Sequence, residues 1–217
     1  MPTTYAHYKF GKEVLSALPR PLQNSIEAHR ELFDIGLHGP DILFYYNALK
    51  KDPVNEQGHT LHEQFADEFF HHAVEVIEKA KDPAAARAYI YGFICHFALD
   101  SECHPYVEKI MQVGRVSHNE IEMELDRMML TEDYHDPLRY LTAKHIQPKM
   151  EYAEVIAPFF KDVTAEQIYK ALKGMVFYHK LFLAPTSGKR KALFLGMKAV
   201  GKYDSLHDIV MSVKPDP

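Results

Sequence analysis

Residues 89–105 read YIYGFICHFALDSECHP, an apolar run with His96, Asp100 and His104 set into it four residues apart. In a helix, positions i, i+4 and i+8 fall on one stripe, each about one turn above the last. The run therefore predicts a buried helix, from about Ala84 to Cys103, with these polar residues along one side of its C-terminal half. A carboxylate between two imidazoles is costly to bury unless it is paired or coordinates a metal. The stripe reads as one wall of a metal site. Gly92, one turn before His96, leaves room there for an ion or for a neighbouring helix.

Working outward, helical periodicity continues almost everywhere and no alternating strand pattern appears. Tyr5 to Leu18 predicts a first helix closed by Pro19 and Pro21, and Leu22 to Leu37 a second, stopped at Gly39-Pro40. A short element then runs through ILFYYNAL, followed by a polar connection from Lys50 to Gly58. The segment QFADEFFHHAVEVIEKA predicts a long helix ending before Asp82-Pro83. Beyond the central run come a turn at Val113 to Ser117 and a helix from His118 to Leu130. Further helices are expected at Leu138 to His145, Pro148 to Phe160, Ala165 to Phe182, Lys189 to Val200 and Ser205 to Val213. The expected fold is a single all-α domain of about ten helices over residues 1–217.

Composition narrows the function classes. The 217 residues, 47% hydrophobic, are enough for one sizeable core, and a net charge of −5 offers no basic field for nucleic acid. The run Lys189-Arg190-Lys191 reads as a solvated loop. No apolar stretch approaches the ~18 residues of a membrane span, and MPTTYAHYKFG lacks the apolar core of a secretory leader. Cys95 and Cys103, eight residues apart on one helix, would lie ~12 Å apart along its axis. That is too far for a disulfide, so both are expected to be free thiols in a cytoplasmic protein. Fourteen histidines exceed what packing normally uses.

Several histidines stand beside carboxylates. His118 and Glu122 form an i, i+4 pair able to chelate one ion from one helix face. His7, Asp41 (in HGPD) and His59 and His62 (in GHTLH) stand at helix starts or loop edges, where a side chain can point into a cleft. Spacing alone leaves the choice between His59 and His62 open.

The order of His, Asp and His, then HxxxDxxxH, then HxxxE, resembles the zinc-dependent phospholipase C family. That family's superfamily includes helical single-strand nucleases with a trinuclear site. The resemblance spans about residues 5–125 and implies two or three Zn2+ ions. It implies that Asp41, His59 or His62, His96 and Asp100 hold one ion, and His104, His118 and Glu122 a second. His7, with Asp100 as a bridge, would hold a third. Secreted members also offer the amine and carbonyl of an N-terminal Trp to that ion, and this chain contains no Trp. The implied reaction is hydrolysis of a small phosphate-ester or phospholipid-like substrate, with a metal-bridging hydroxide attacking phosphorus. Asp41 is the candidate catalytic carboxylate, and Asp34, Glu63, Glu120 and Tyr106 are candidate partners for the ligand histidines.

Two other readings fit parts of the sequence. Glu68-x-x-His71 and Glu132-x-x-His135 match the ExxH motif of di-iron carboxylate bundles. A non-catalytic metal-binding or interaction domain is the other, although an all-His and carboxylate ligand set is unlike the cysteine-rich sites of structural zinc.

Overall fold

Proline, glycine and capping side chains divide the apolar periodicity into helices. The computed structural model describes residues 4–114 and 116–215, and among these there is no strand. The α-helices are α1 (Thr4–Ala17), α2 (Arg20–Glu27), α3 (Arg30–Gly36), α4 (Pro53–Glu63), α5 (Ala66–Lys79) and α6 (Pro83–Val113). They continue with α7 (His118–Glu132), α8 (Met150–Ile156), α9 (Ala165–Phe182), α10 (Ser187–Ala199) and α11 (Tyr203–Leu206). Three 3-10 turns, Gly39–Tyr45, Ala157–Phe159 and His207–Ile209, complete the regular structure. The all-α expectation holds.

Local chemistry explains the departures from the expected boundaries. The helix expected over 22–37 breaks at His29, whose φ of −132° and ψ of 40° are not helical, giving α2 and α3. The polar connection expected at 50–58 instead contains the start of α4. Asp52 caps it by accepting from Val54 N at 3.0 Å, while the Asn55 side chain accepts from Asp52 N at 3.1 Å. Pro53 suits the first turn because its missing N–H has no intrahelical partner there. Helix α6 runs past Cys103 and through Pro105 to Val113. Residues 138–145, expected to be helical, form turns. Lys189-Arg190-Lys191 is not a loop but lies in the first turns of α10, behind the Thr186 cap.

The chain divides into two compact units. One comprises Met1–Ala6, Asp100–Ala143 and Tyr178–Pro217, and the other His7–Leu99 and Lys144–Phe177. In the second unit Leu15, Ile26, Phe33, Leu37 and Cys95 form one core cluster, with Tyr8, Phe10, Val14 and Leu22 packed around them. Within it α3 and α6 meet backbone to backbone. A Cβ on Gly36 would stand 2.1 Å from the Tyr89 carbonyl oxygen, and one on Gly92 would stand 2.2 Å from that of Phe33. The space at Gly92 is thus filled by a neighbouring helix. That close approach sets the turn after α3 against the middle of α6.

In the first unit Ala184, Met197 and Val210 form a small core with Leu193, Phe194 and Leu206. Buried Asp126 of α7 accepts from the backbone N–H groups of Tyr5 (3.1 Å) and Ala6 (2.9 Å), capping the start of α1 from another element. Burial pushes its carboxyl up to about 7, against the opposing pull of those N–H groups. His179 lies between Thr142 (3.0 Å) and Thr4 (3.3 Å), and its burial lowers its pKa to about 4. Cys95 and Cys103 are both free thiols. No helix among the described residues is long and apolar enough to cross a membrane.

Candidate metal centre

Within the larger unit, three elements bring Asp41, His62 and His96 together. Asp41 lies in the Gly39–Tyr45 turn, His62 at the end of α4 and His96 on α6. One ligand atom from each lies within 4.8 Å of the others. Asp41 and His96 are only 3% and 2% exposed.

The local hydrogen bonding orients this set. His62 Nδ1 is 2.7 Å from the Gly58 carbonyl oxygen, which can only accept, so Nδ1 carries the proton. In the neutral ring Nε2 then presents a lone pair, and it stands 3.1 Å from Asp41 Oδ1. Both Asp41 oxygens are buried without a hydrogen-bond partner among the described residues. A lone pair facing an unsatisfied carboxylate is an arrangement that a cation stabilises. Gly39, at φ +48°, seats His96: a Cβ there would be 2.2 Å from the ring's Cδ2. Buried His7 stacks on His96 with centroids 4.4 Å apart and planes at 25°.

His104, His118 and Glu122 form another set within the other unit, again with one ligand atom each inside 4.8 Å. His118 Nε2 is 2.7 Å from Glu122 Oε1, and His104 Nε2 is 4.0 Å from the same oxygen. Asp100 Oδ2 lies 3.7 Å from His104 Nε2, one turn earlier on α6. Glu122 Oε2 is buried without a hydrogen-bond partner among the described residues. Ser117 starts α7 with a capping box, which fixes the helix turn that carries His118.

Both sets suit zinc. Each offers imidazole nitrogen and carboxylate oxygen from three residues and no thiolate, a donor set unlike that of cysteine-rich structural zinc. Neither set includes a cysteine, and burial pushes the Cys95 thiol up to about 11. His59 lies apart from both sets, its ring 4.5 Å from that of Phe44. A terminal amine ligand would belong to residues outside the described ones.

The candidate partners of the ligand histidines fall elsewhere. Asp34 accepts from Arg30 at 2.7 Å, Glu63 is exposed at the end of α4, Glu120 completes the Ser117 capping box, and Tyr106 is 70% exposed. The partner that orients His62 is the Gly58 carbonyl, and a backbone oxygen leaves no mark in a sequence. Of the ExxH pairs, Glu68 and His71 are exposed on α5, whereas Glu132 ends α7 with His135 beyond it. Neither pair enters a ligand set among the described residues.

A family profile described as zinc-dependent phospholipase C matches residues 6–174, a span that contains every residue of both sets. Searches of curated proteins and of solved structures returned no match.

Proposed function

The chain belongs to the zinc-dependent phospholipase C family, and on that premise we propose that it is a zinc-dependent hydrolase of a phosphate ester carried by a phospholipid-like or smaller substrate. Asp41, His62 and His96 would hold one ion, and His104, His118 and Glu122 another. Asp100 lies one turn before His104 on α6, its Oδ2 3.7 Å from His104 Nε2, which supports it as a further ligand of the second ion. His7, stacked on His96, would belong to a third ion. The observation that carries this reading is the pairing of His62 Nε2 with the unsatisfied Asp41 carboxylate at 3.1 Å.

Bound zinc supplies Lewis acidity toward phosphoryl oxygens and lowers the pKa of water. Asp41 has two oxygens, so one can serve as a ligand while the other accepts a proton from the attacking water. The water oxygen adds to phosphorus, the P–O bond to the alcohol breaks, and the leaving oxygen takes up the proton that Asp41 had accepted. The Gly58 carbonyl keeps His62 in the Nδ1–H tautomer, and Gly39, lacking a Cβ, leaves the room that the His96 ring occupies. The free thiols of Cys95 and Cys103 support a reducing compartment such as the cytoplasm.

The test is hydrolysis of phosphomonoester, phosphodiester and phospholipid substrates before and after chelation. Activity lost to the chelator and restored by zinc is the expected result. Full activity in protein shown to contain no metal would overturn the reading.

A further inference from the structure

The matched span ends at residue 174, yet residues 203–213 fasten α7, the helix that carries His118 and Glu122. At its first turn Ser117 Oγ accepts from Glu120 N at 3.1 Å and donates to Asp208 Oδ2 at 2.6 Å. The other Asp208 oxygen is 2.9 Å from His207 Nε2, and His207 Nδ1 donates to the Tyr203 carbonyl at 2.9 Å. Further along α7, Arg127 Nη2 donates to the Ser212 carbonyl and, at 2.8 Å, to Ser212 Oγ. Arg127 Nε meanwhile bonds Glu124 at 2.9 Å. Arg190 of α10 donates to the Met211 carbonyl at 2.7 Å, holding the same strap from a second helix. All of these residues belong to one compact unit.

We propose that this C-terminal strap positions the second ligand set, with Asp208 acting on His118 through Ser117. The inference rests on the zinc reading above. The capping box already satisfies the start of α7, so the helix does not need Asp208 in order to form. What the carboxylate adds is a short, charge-assisted bond that holds the Ser117 hydroxyl in one rotamer. Ser117 is covalently joined to His118, so the same bond limits the sway of the first helical turn. Helix ends otherwise fray, and the partly exposed His118 sits at such an end.

Zinc titration of the full-length, chelator-stripped protein tests the strap, comparing wild type with Asp208→Ala, Asp208→Asn, His118→Ala and the Asp208→Ala/His118→Ala double variant. In Asp208→Ala, one zinc should weaken about tenfold while the other binds as in wild type and the melting temperature stays near the wild-type value. Asp208→Asn should recover part of the loss, since its amide oxygen still accepts from Ser117. The double variant should bind zinc no more weakly than His118→Ala alone, as expected if both changes act on one ion. Unchanged binding by Asp208→Ala, or equal weakening of every ion, would overturn the strap while leaving the zinc reading intact. A wild-type chain that binds no zinc would overturn both.

Discussion

The two ligand sets are built in different ways. Asp41, His62 and His96 come from a turn, a helix end and a helix middle, and Asp41 and His96 are nearly inaccessible. His104, His118 and Glu122 come from two helices that are consecutive in sequence, with the His104 and His118 side chains 33% and 35% exposed. The first set exists only when the packing around it is complete. The second is largely local, an i, i+4 pair plus a residue from the preceding helix. Damage to packing should therefore abolish the first, whereas damage to an individual ligand should be tolerated structurally in the second.

The largest effect is expected at Gly92. In Gly92→Ala the new methyl meets the Phe33 carbonyl, so α3 and α6 must separate, at a cost of about 3 kcal/mol. Chemical denaturation should show this loss, with zinc binding by the Asp41 set reduced at the same time. A variant as stable as wild type would break the claim that close helix contact assembles this set.

An effect of similar size is expected from pH in the unit that holds the second set. His179 is neutral when folded, with its pKa lowered to about 4 against an ordinary 6.5. The unfolded chain thus binds the extra proton first as pH falls. The stability associated with a neutral His179 is complete above pH 6.5 and is lost as pH falls toward about 4, a change of roughly 3 kcal/mol. Asp126 works in the opposite sense. Its folded pKa of about 7 exceeds the ordinary value, so its contribution to stability declines as pH rises from about 4 to about 7. Denaturation of His179→Gln across this range should show a smaller acid loss than wild type, and an unchanged acid loss would contradict the assignment.

Asp41→Asn sharpens the comparison by separating stability from binding. The new amide can donate to His62 Nε2, so the metal-free variant should be about 1 kcal/mol more stable than metal-free wild type, while its zinc affinity falls. A parallel loss of both would show that the carboxylate is held by protein contacts rather than poised for a cation. An effect of about 1 kcal/mol on metal-free stability is expected for His118→Ala, which leaves the buried Glu122 carboxylate without its 2.7 Å partner, together with the loss of one zinc in a metal assay.

The spacing of residues 89–105 made α6, the all-helical fold and the polar stripe legible. His118 and Glu122 were legible for the same reason, being one turn apart on one helix. The partnership of Asp41 with a histidine of GHTLH is visible only as a resemblance, which leaves His59 and His62 open, because the turn at Gly39 and the Gly36–Gly92 contact depend on tertiary packing. The roles of the Gly58 carbonyl and the Phe33 carbonyl could not be read at all, since every residue carries the same backbone atoms. The start of α4 is legible in the sequence, because Asp52-Pro53 with Asn55 is a capping signal inside the polar stretch 50–58.

Anomalous diffraction at the zinc edge, from crystals of protein purified without added metal, tests the central claim most directly. The account predicts one peak ~2.0–2.2 Å from His62 Nε2 and an Asp41 oxygen, and another at the same range from His118 and Glu122. No peak at the Asp41 set, or a peak held by His59 in place of His62, would contradict it.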